Sequence, residues 1–76
     1  MTTTPSTIDL RGVRCPLPIV RLNNELKKLA PGAALAFVAD DPAFRLDVEA
    51  WARRLGLQLT LADAEAPTVR GTVCRP

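Results

Sequence analysis

The chain has 76 residues, 47% of them hydrophobic, a length that suits one compact domain with a thin core. Ten Lys and Arg residues against eight Asp and Glu residues give a formal net charge of +2, too small a surplus to indicate nucleic-acid binding. Two cysteines without a histidine exclude the usual zinc site of four Cys or His ligands and the disulfide framework of small secreted domains. With no long apolar segment either, the sequence predicts a cytoplasmic protein that neither enters a membrane nor holds a metal.

The predicted elements begin after a polar, Thr-rich terminus. Residues 1–6 predict a flexible N-terminus, so that a single domain occupies residues 7–76. In residues 7–11 the apolar Ile8 and Leu10 alternate with polar side chains, which is the period of a half-buried strand. We therefore expect the ordered part of the chain to start with a strand.

An amphipathic helix and a buried strand come next. The helix is predicted over residues 16–30, where Pro31-Gly32 supplies a stop signal and apolar residues recur at helical spacing at Ile19, Leu22, Leu26 and Leu29. Residues 34–39 are almost wholly apolar, which is typical of a central strand covered by its neighbours.

A second helix is predicted after the acidic pair Asp40-Asp41. Asp41 suits the N-cap position with Pro42 as the first helical residue, and Gly56 suits the end of the helix. We interpret the two adjacent acids as a structural cap rather than as metal ligands. The helix has an apolar face that indicates core packing rather than ligand stacking, formed by Phe44, Val48, Trp51, Ala52 and Leu55.

Two closing strands, over residues 57–61 and 68–73, are predicted to form a hairpin. The order β-α-β-α-β-β with right-handed crossovers places both helices on the same side of the sheet. The other face of the sheet is then polar and meets water; it comprises Thr7, Asp9, Arg11, Gln58, Thr60, Arg70 and Thr72. The predicted fold class is α/β (α+β), a two-layer sandwich with a four-stranded mixed sheet and two helices on one face.

Cys15 is the candidate reactive residue, because it lies where the first helix begins. Pro16 and Pro18 fall where a helix leaves its N–H groups unpaired, so they are tolerated there and hold the first turn. The positive end of the helix dipole and the cations Arg11 and Arg14 are predicted to lower the thiol pKa.

The absence of histidine narrows the chemistry of such a cysteine. A hydrolytic cysteine enzyme needs a base for its nucleophile, whereas the transfer of sulfur between thiols needs none. Arg21 would add weakly to a basic rim with Arg11 and Arg14. The prediction is an exposed nucleophilic thiol that works with partner proteins.

Three segments, Cys15-Pro16-Leu17-Pro18, Pro31-Gly32 and Asp40-Asp41-Pro42-Ala43, resemble the TusA/SirA-like family of sulfur carriers over nearly the whole chain. Two positions depart from many members, which carry a basic pair where this chain has Asn23-Asn24 and a proline where it has Glu49 in Asp47-Val48-Glu49. The resemblance implies the two-layer fold and a persulfide on Cys15 at the family's CPxP motif, with no bound cofactor.

The same resemblance implies partners. A cysteine desulfurase or a rhodanese would donate the sulfur. A downstream sulfurtransferase would accept it for tRNA thiolation, molybdenum-cofactor synthesis or sulfur oxidation. The chain would then be a sulfurtransferase in the sense of a carrier, a monomer with transient complexes and no direct contact with nucleic acid.

Two other classes of function stay open at this point. Cys15 with Cys74 as resolving thiol would make a redox module, although an incidental reduced Cys74 is the more ordinary interpretation. A regulatory or adaptor module would not need Cys15 at all. Selenium handling is a variant of sulfur carriage, since the same nucleophile serves either element.

Overall fold

The computed structural model describes residues 6–62 and 65–75, which form four strands and two helices in the order β-α-β-α-β-β. They are β1 (Ser6–Leu10), α1 (Leu17–Lys27), β2 (Ala34–Ala39), α2 (Phe44–Leu55), β3 (Gln58–Ala62) and β4 (Val69–Cys74). The predicted order of elements is confirmed, with boundaries displaced by at most three residues. Of the predicted flexible terminus, residues 1–5 lie outside the described residues, and Ser6 already belongs to β1.

The sheet has the strand order β1-β2-β4-β3. β1 pairs with β2 in parallel, whereas β4 is antiparallel to both β2 and β3, so the sheet is mixed as predicted. Both helices pack on the same core, α1 against β2 and α2 against β3 and β4. The parallel pair brings the carboxyl ends of β1 and β2 to the same edge, because Leu10 lies opposite Ala39.

The core lies between the sheet and the two helices. Alternate strand residues point into it and meet the apolar stripes of both helices. The rings of Phe37 and Phe44 meet edge to face with centroids 5.4 Å apart, which joins β2 to the start of α2. The buried members from the strands are Leu10, Leu35, Phe37, Ala39, Val69 and Val73, and those from the helices are Leu22, Leu26, Phe44, Val48, Trp51 and Ala52.

The other face of the sheet carries mostly polar side chains, as predicted. Arg11 is an exception, because β1 ends at Leu10 and Arg11 lies in the following turn. Val38 also lies on this face, opposite Asp9 and Arg70 of the neighbouring strands, and is buried. Within the described ranges, no helix combines the length and apolarity that crossing a bilayer demands.

The start of α2 departs from the prediction. Ala43 occupies the N-cap position and no side chain caps the helix, so the expected N-cap role of Asp41 is wrong. The backbone carbonyl of Asp41 accepts from the Phe44 N–H at 2.9 Å, while its carboxylate points to the β1–α1 loop. Gly56 ends α2 as predicted, with a left-handed φ of 69° that favours glycine.

Candidate functional site

Cys15 lies in the loop between β1 and α1, directly before Pro16, which is the N-cap residue of α1. Pro18 is buried in the first turn of α1, so the motif prolines stand at the helix start where sequence analysis expected them. The Leu17 N–H bonds to the Arg14 carbonyl at 3.0 Å, which closes a turn around the cysteine. The Cys15 side chain is exposed.

The acidic pair after β2 holds this loop in place. Asp40 Oδ1 accepts from the Gly12 N–H at 2.8 Å and from Arg14 Nη1 at 3.0 Å. Asp41, which is only 7% exposed, accepts from the Cys15 N–H through Oδ2 at 3.0 Å. The sequence did not predict that Asp40 and Asp41 hold the β1–α1 loop. The parallel β1–β2 crossover was a usable signal, because it places the end of β1 beside the end of β2.

The two arginines near the cysteine are occupied by carboxylates. Arg11 bonds Asp9 with two nitrogens, at 3.0 Å and 2.8 Å, and Arg14 bonds Asp40. These contacts raise the pKa of Arg11 and hold the pKa of Asp9 down to about 2, with the side-chain bond between them as the main cause of each shift. Arg21 is exposed on α1. The predicted basic rim is therefore largely neutralised within the protein.

Cys15 opens onto a groove of about 240 Å³ between the start of α1 and one face of α2. The groove is lined by Cys15, Pro16, Ile19, Asp47, Ala50, Trp51 and Arg54. The last four belong to α2 and recur at helical spacing, so they share one face of that helix. A partner's reactive group can reach the sulfur through this open side.

The charges closest to Cys15 are negative. The Cys15 Sγ and carboxylate oxygens of Asp41 and Asp47 all lie within 4.8 Å of one another. The pKa of Cys15 is raised, first because the Asp47 carboxylate lies where it can accept a hydrogen bond from the thiol, then by desolvation and by the charges of Asp47 and Asp41. The predicted lowering of this pKa by Arg11 and Arg14 is wrong, because carboxylates from other elements neutralise the arginines and surround the sulfur.

Cys74 lies far from Cys15. It is the last residue of β4 and lies opposite Ala34, the first residue of β2, whereas Cys15 contacts the segment that follows Ala39. Five strand steps separate these edges by about 16 Å. A disulfide requires Cα atoms within about 7 Å, so this fold does not support Cys74 as a resolving thiol for Cys15.

Sequence comparison with known proteins finds matches over most of this chain. Residues 6–75 match the family model described as Sulfurtransferase TusA. The sulfur carrier protein TusA of Pseudomonas aeruginosa is 38% identical over 61 residues, which cover 80% of this chain and 77% of that protein. A longer protein of Aquifex aeolicus, which is named as a sulfur carrier protein, is 36% identical over 59 residues. The match covers 78% of this chain and 30% of the Aquifex protein.

A solved structure supports the same fold. The crystal structure of a SirA-like protein from Desulfitobacterium hafniense superposes with a TM-score of 0.78 at 25% sequence identity. The superposition covers 90% of this chain and 93% of the other.

Proposed function

Because the chain belongs to the TusA sulfurtransferase family, we propose that it receives sulfur as a persulfide on Cys15 and passes it from a donor protein to an acceptor protein. The observation that carries the proposal is the placement of Cys15. Its exposed side chain opens onto a groove, at the start of α1, within the Cys15-Pro16-Leu17-Pro18 segment. This is the open position that sulfur exchange between two proteins requires.

Loading is a thiol exchange with a simple balance. The Cys15 thiol first loses its proton, and the thiolate attacks the outer sulfur of the donor's persulfide. A new S–S bond forms on Cys15 as the donor's S–S bond breaks, and the donor leaves as a thiolate that takes up a proton. Unloading reverses the roles, with an acceptor thiolate attacking the outer sulfur. No external oxidant or reductant is consumed in either step.

We expect the donor to be a cysteine desulfurase or a rhodanese and the acceptor to be a downstream sulfurtransferase, in the cytoplasm. The sulfur delivered in this way would serve tRNA thiolation, molybdenum-cofactor synthesis or sulfur oxidation. The persulfide sulfur is cargo, so the proposal includes no resident cofactor and no direct contact with nucleic acid. The carrier itself would be a monomer that forms transient complexes.

The test is sulfur loading followed by intact mass. After incubation with a cysteine desulfurase and cysteine, the mass should rise by one sulfur, about 32 Da, and a thiol reductant should remove the increase. Cys15→Ser should not gain the sulfur, whereas the matched variant Cys74→Ser should gain as much as the unchanged protein. Loading of Cys15→Ser, or no loading of the unchanged protein by either a desulfurase or a rhodanese, would refute the proposal.

A further inference from the structure

Asp47 takes no part in the proposed thiol exchange, yet it lies beside the Cys15 sulfur. It is a half-buried residue of the first turn of α2, and it lines the groove together with Cys15. In the described part of the chain the ion pairs engage Asp9, Asp40, Glu25 and Glu49, and Asp47 belongs to none of them. Its carboxylate is instead within 4.8 Å of the Cys15 sulfur.

Charged groups from the packed elements surround Cys15 unequally. Its own loop provides Arg14, which is bonded to Asp40, and the segment after β2 provides Asp41, which accepts from the Cys15 N–H. From α2 come Asp47 and Arg54. Arg54 is exposed and lies seven residues after Asp47, about 10 Å further along the helix.

The other arginine that precedes Cys15, Arg11, is bonded to Asp9 by two side-chain hydrogen bonds. The carboxylates of Asp41 and Asp47 both lie within 4.8 Å of the Cys15 sulfur. Asp41 already accepts from the Cys15 N–H, so Asp47 is the carboxylate available to the thiol. A carboxylate in that position accepts the S–H proton in a hydrogen bond and opposes formation of the thiolate, which agrees with the raised pKa of Cys15.

We infer that Asp47 is a positioning residue that accepts the S–H of Cys15, directs the sulfur along the groove and keeps the free carrier in its thiol form. The inference about the thiol stands on the geometry, and its meaning for sulfur transfer rests on the proposed function. Because the thiolate is the form that reacts and oxidises, Asp47 restrains both reactions of Cys15 in the free protein. A cation brought near Asp47 would relieve the restraint.

The first test is the pH profile of Cys15 alkylation by iodoacetamide, a neutral reagent, in a Cys74→Ser background. We expect the midpoint of the profile to lie above that of an ordinary cysteine. Asp47→Asn should move the midpoint to lower pH and raise the rate at pH 7 about four- to tenfold, the effect of one charge roughly 5 Å away when solvent screens it to an effective dielectric constant of about 50–80. Glu49→Gln is the matched control, since it removes a carboxylate from the same helix but outside the groove lining.

A profile that Asp47→Asn leaves unchanged, or moves to higher pH, would overturn the inference. A shift of equal size in Glu49→Gln would also overturn it, because the cause would then be the net charge of the helix. A circular dichroism spectrum identical to that of the background verifies that Asp47→Asn retains the fold, so that the profile reports on the thiol alone.

The second test uses disulfides of opposite charge, cystamine as the cation and dithiodiglycolate as the anion. The ratio of their rates with Cys15 should favour cystamine, and Asp47→Asn should reduce that ratio about threefold while Glu49→Gln leaves it unchanged. An unaltered ratio in Asp47→Asn would contradict the inference, since the carboxylate would then not act at the sulfur.

The two proposals fail separately. Loss of sulfur loading with a shifted alkylation profile would refute the carrier function and leave the role of Asp47 at the thiol intact. Normal loading with an unshifted profile would refute the role of Asp47 and leave the carrier function intact.

Discussion

At the scale of single residues, the position of the Cys15 sulfur depends on two aspartates that are distant from it in the sequence. Asp40 and Asp41 follow β2, and each accepts a backbone N–H from the β1–α1 loop, at Gly12 and Cys15. A buried carboxylate is stable only when its oxygens find donors, and the loop amides provide them. The same contacts fix the backbone of the cysteine before helix α1 begins.

Removal of the Asp41 carboxylate should therefore destabilise the protein. We expect Asp41→Ala to lower the free energy of unfolding by about 1–2 kcal/mol, because it leaves the Cys15 N–H without its partner and opens a small space. Asp41→Asn keeps an acceptor oxygen and should lose less than half as much. Urea unfolding measures both changes. Glu25→Ala, which breaks an exposed ion pair with Lys28, is the control and should change stability by less than about 0.5 kcal/mol.

An Asp41→Ala protein as stable as the unchanged chain would contradict this account. It would mean that water satisfies the Cys15 N–H as well as the carboxylate does, and that the loop holds its shape without Asp41.

At the scale of elements, β4 reveals how closely the layers pack. Gly71 lies opposite Phe37 and Leu61 on the helix-facing side of the sheet. A Cβ atom on Gly71 would lie 2.6 Å from the Thr60 carbonyl oxygen and 2.8 Å from Phe37 Cζ, closer than real Cβ contacts. The glycine thus makes room for the Phe37 ring, which in turn meets Phe44 at the start of α2. Through this contact, β4 helps to seat the helix that carries Asp47.

Gly71→Ala should accordingly cost stability. We expect a loss of about 2–3 kcal/mol, since a backbone oxygen and an aromatic ring in the core must both move to admit the methyl group. Thr72→Ala, at the next position on the opposite face, should change stability by less than about 1 kcal/mol. Equilibrium unfolding in urea distinguishes the two variants. A Gly71→Ala protein of unchanged stability would contradict the close packing around this residue.

At the scale of the whole molecule, the two cysteines lie at opposite edges of the sheet. Cys15 follows the end of β1 at the groove, whereas Cys74 pairs across the sheet with Ala34 and Gln58 at the other edge. β1 is parallel to β2, so the end of β1 that precedes Cys15 lies beside the end of β2. β4 is antiparallel to β2, so the end of β4 at Cys74 lies beside the beginning of β2. The antiparallel direction of β4 therefore separates the two thiols.

Oxidation should reflect this separation. With a mild disulfide-forming oxidant under native conditions, we expect no internal Cys15–Cys74 bond, because the two Cα atoms lie too far apart. Peptide mapping without reduction checks this result, and the rate of Cys15 oxidation in Cys74→Ser should equal that in the unchanged chain. An internally linked peptide in the native protein would contradict the prediction and favour the redox module.

The sequence by itself determined the elements, their order and the candidate reactive residue, because periodicity, turn residues and the Cys15-Pro16-Leu17-Pro18 segment are local signals. The tertiary structure alone decided what surrounds that residue. Asp41 and Asp47 come from positions 26 and 32 residues further along the chain, and Asp40, 26 residues after Arg14, engages an arginine that was expected to act on the thiol. Electrostatic effects depend on distances in space, and those distances are set only when strands align and helices pack.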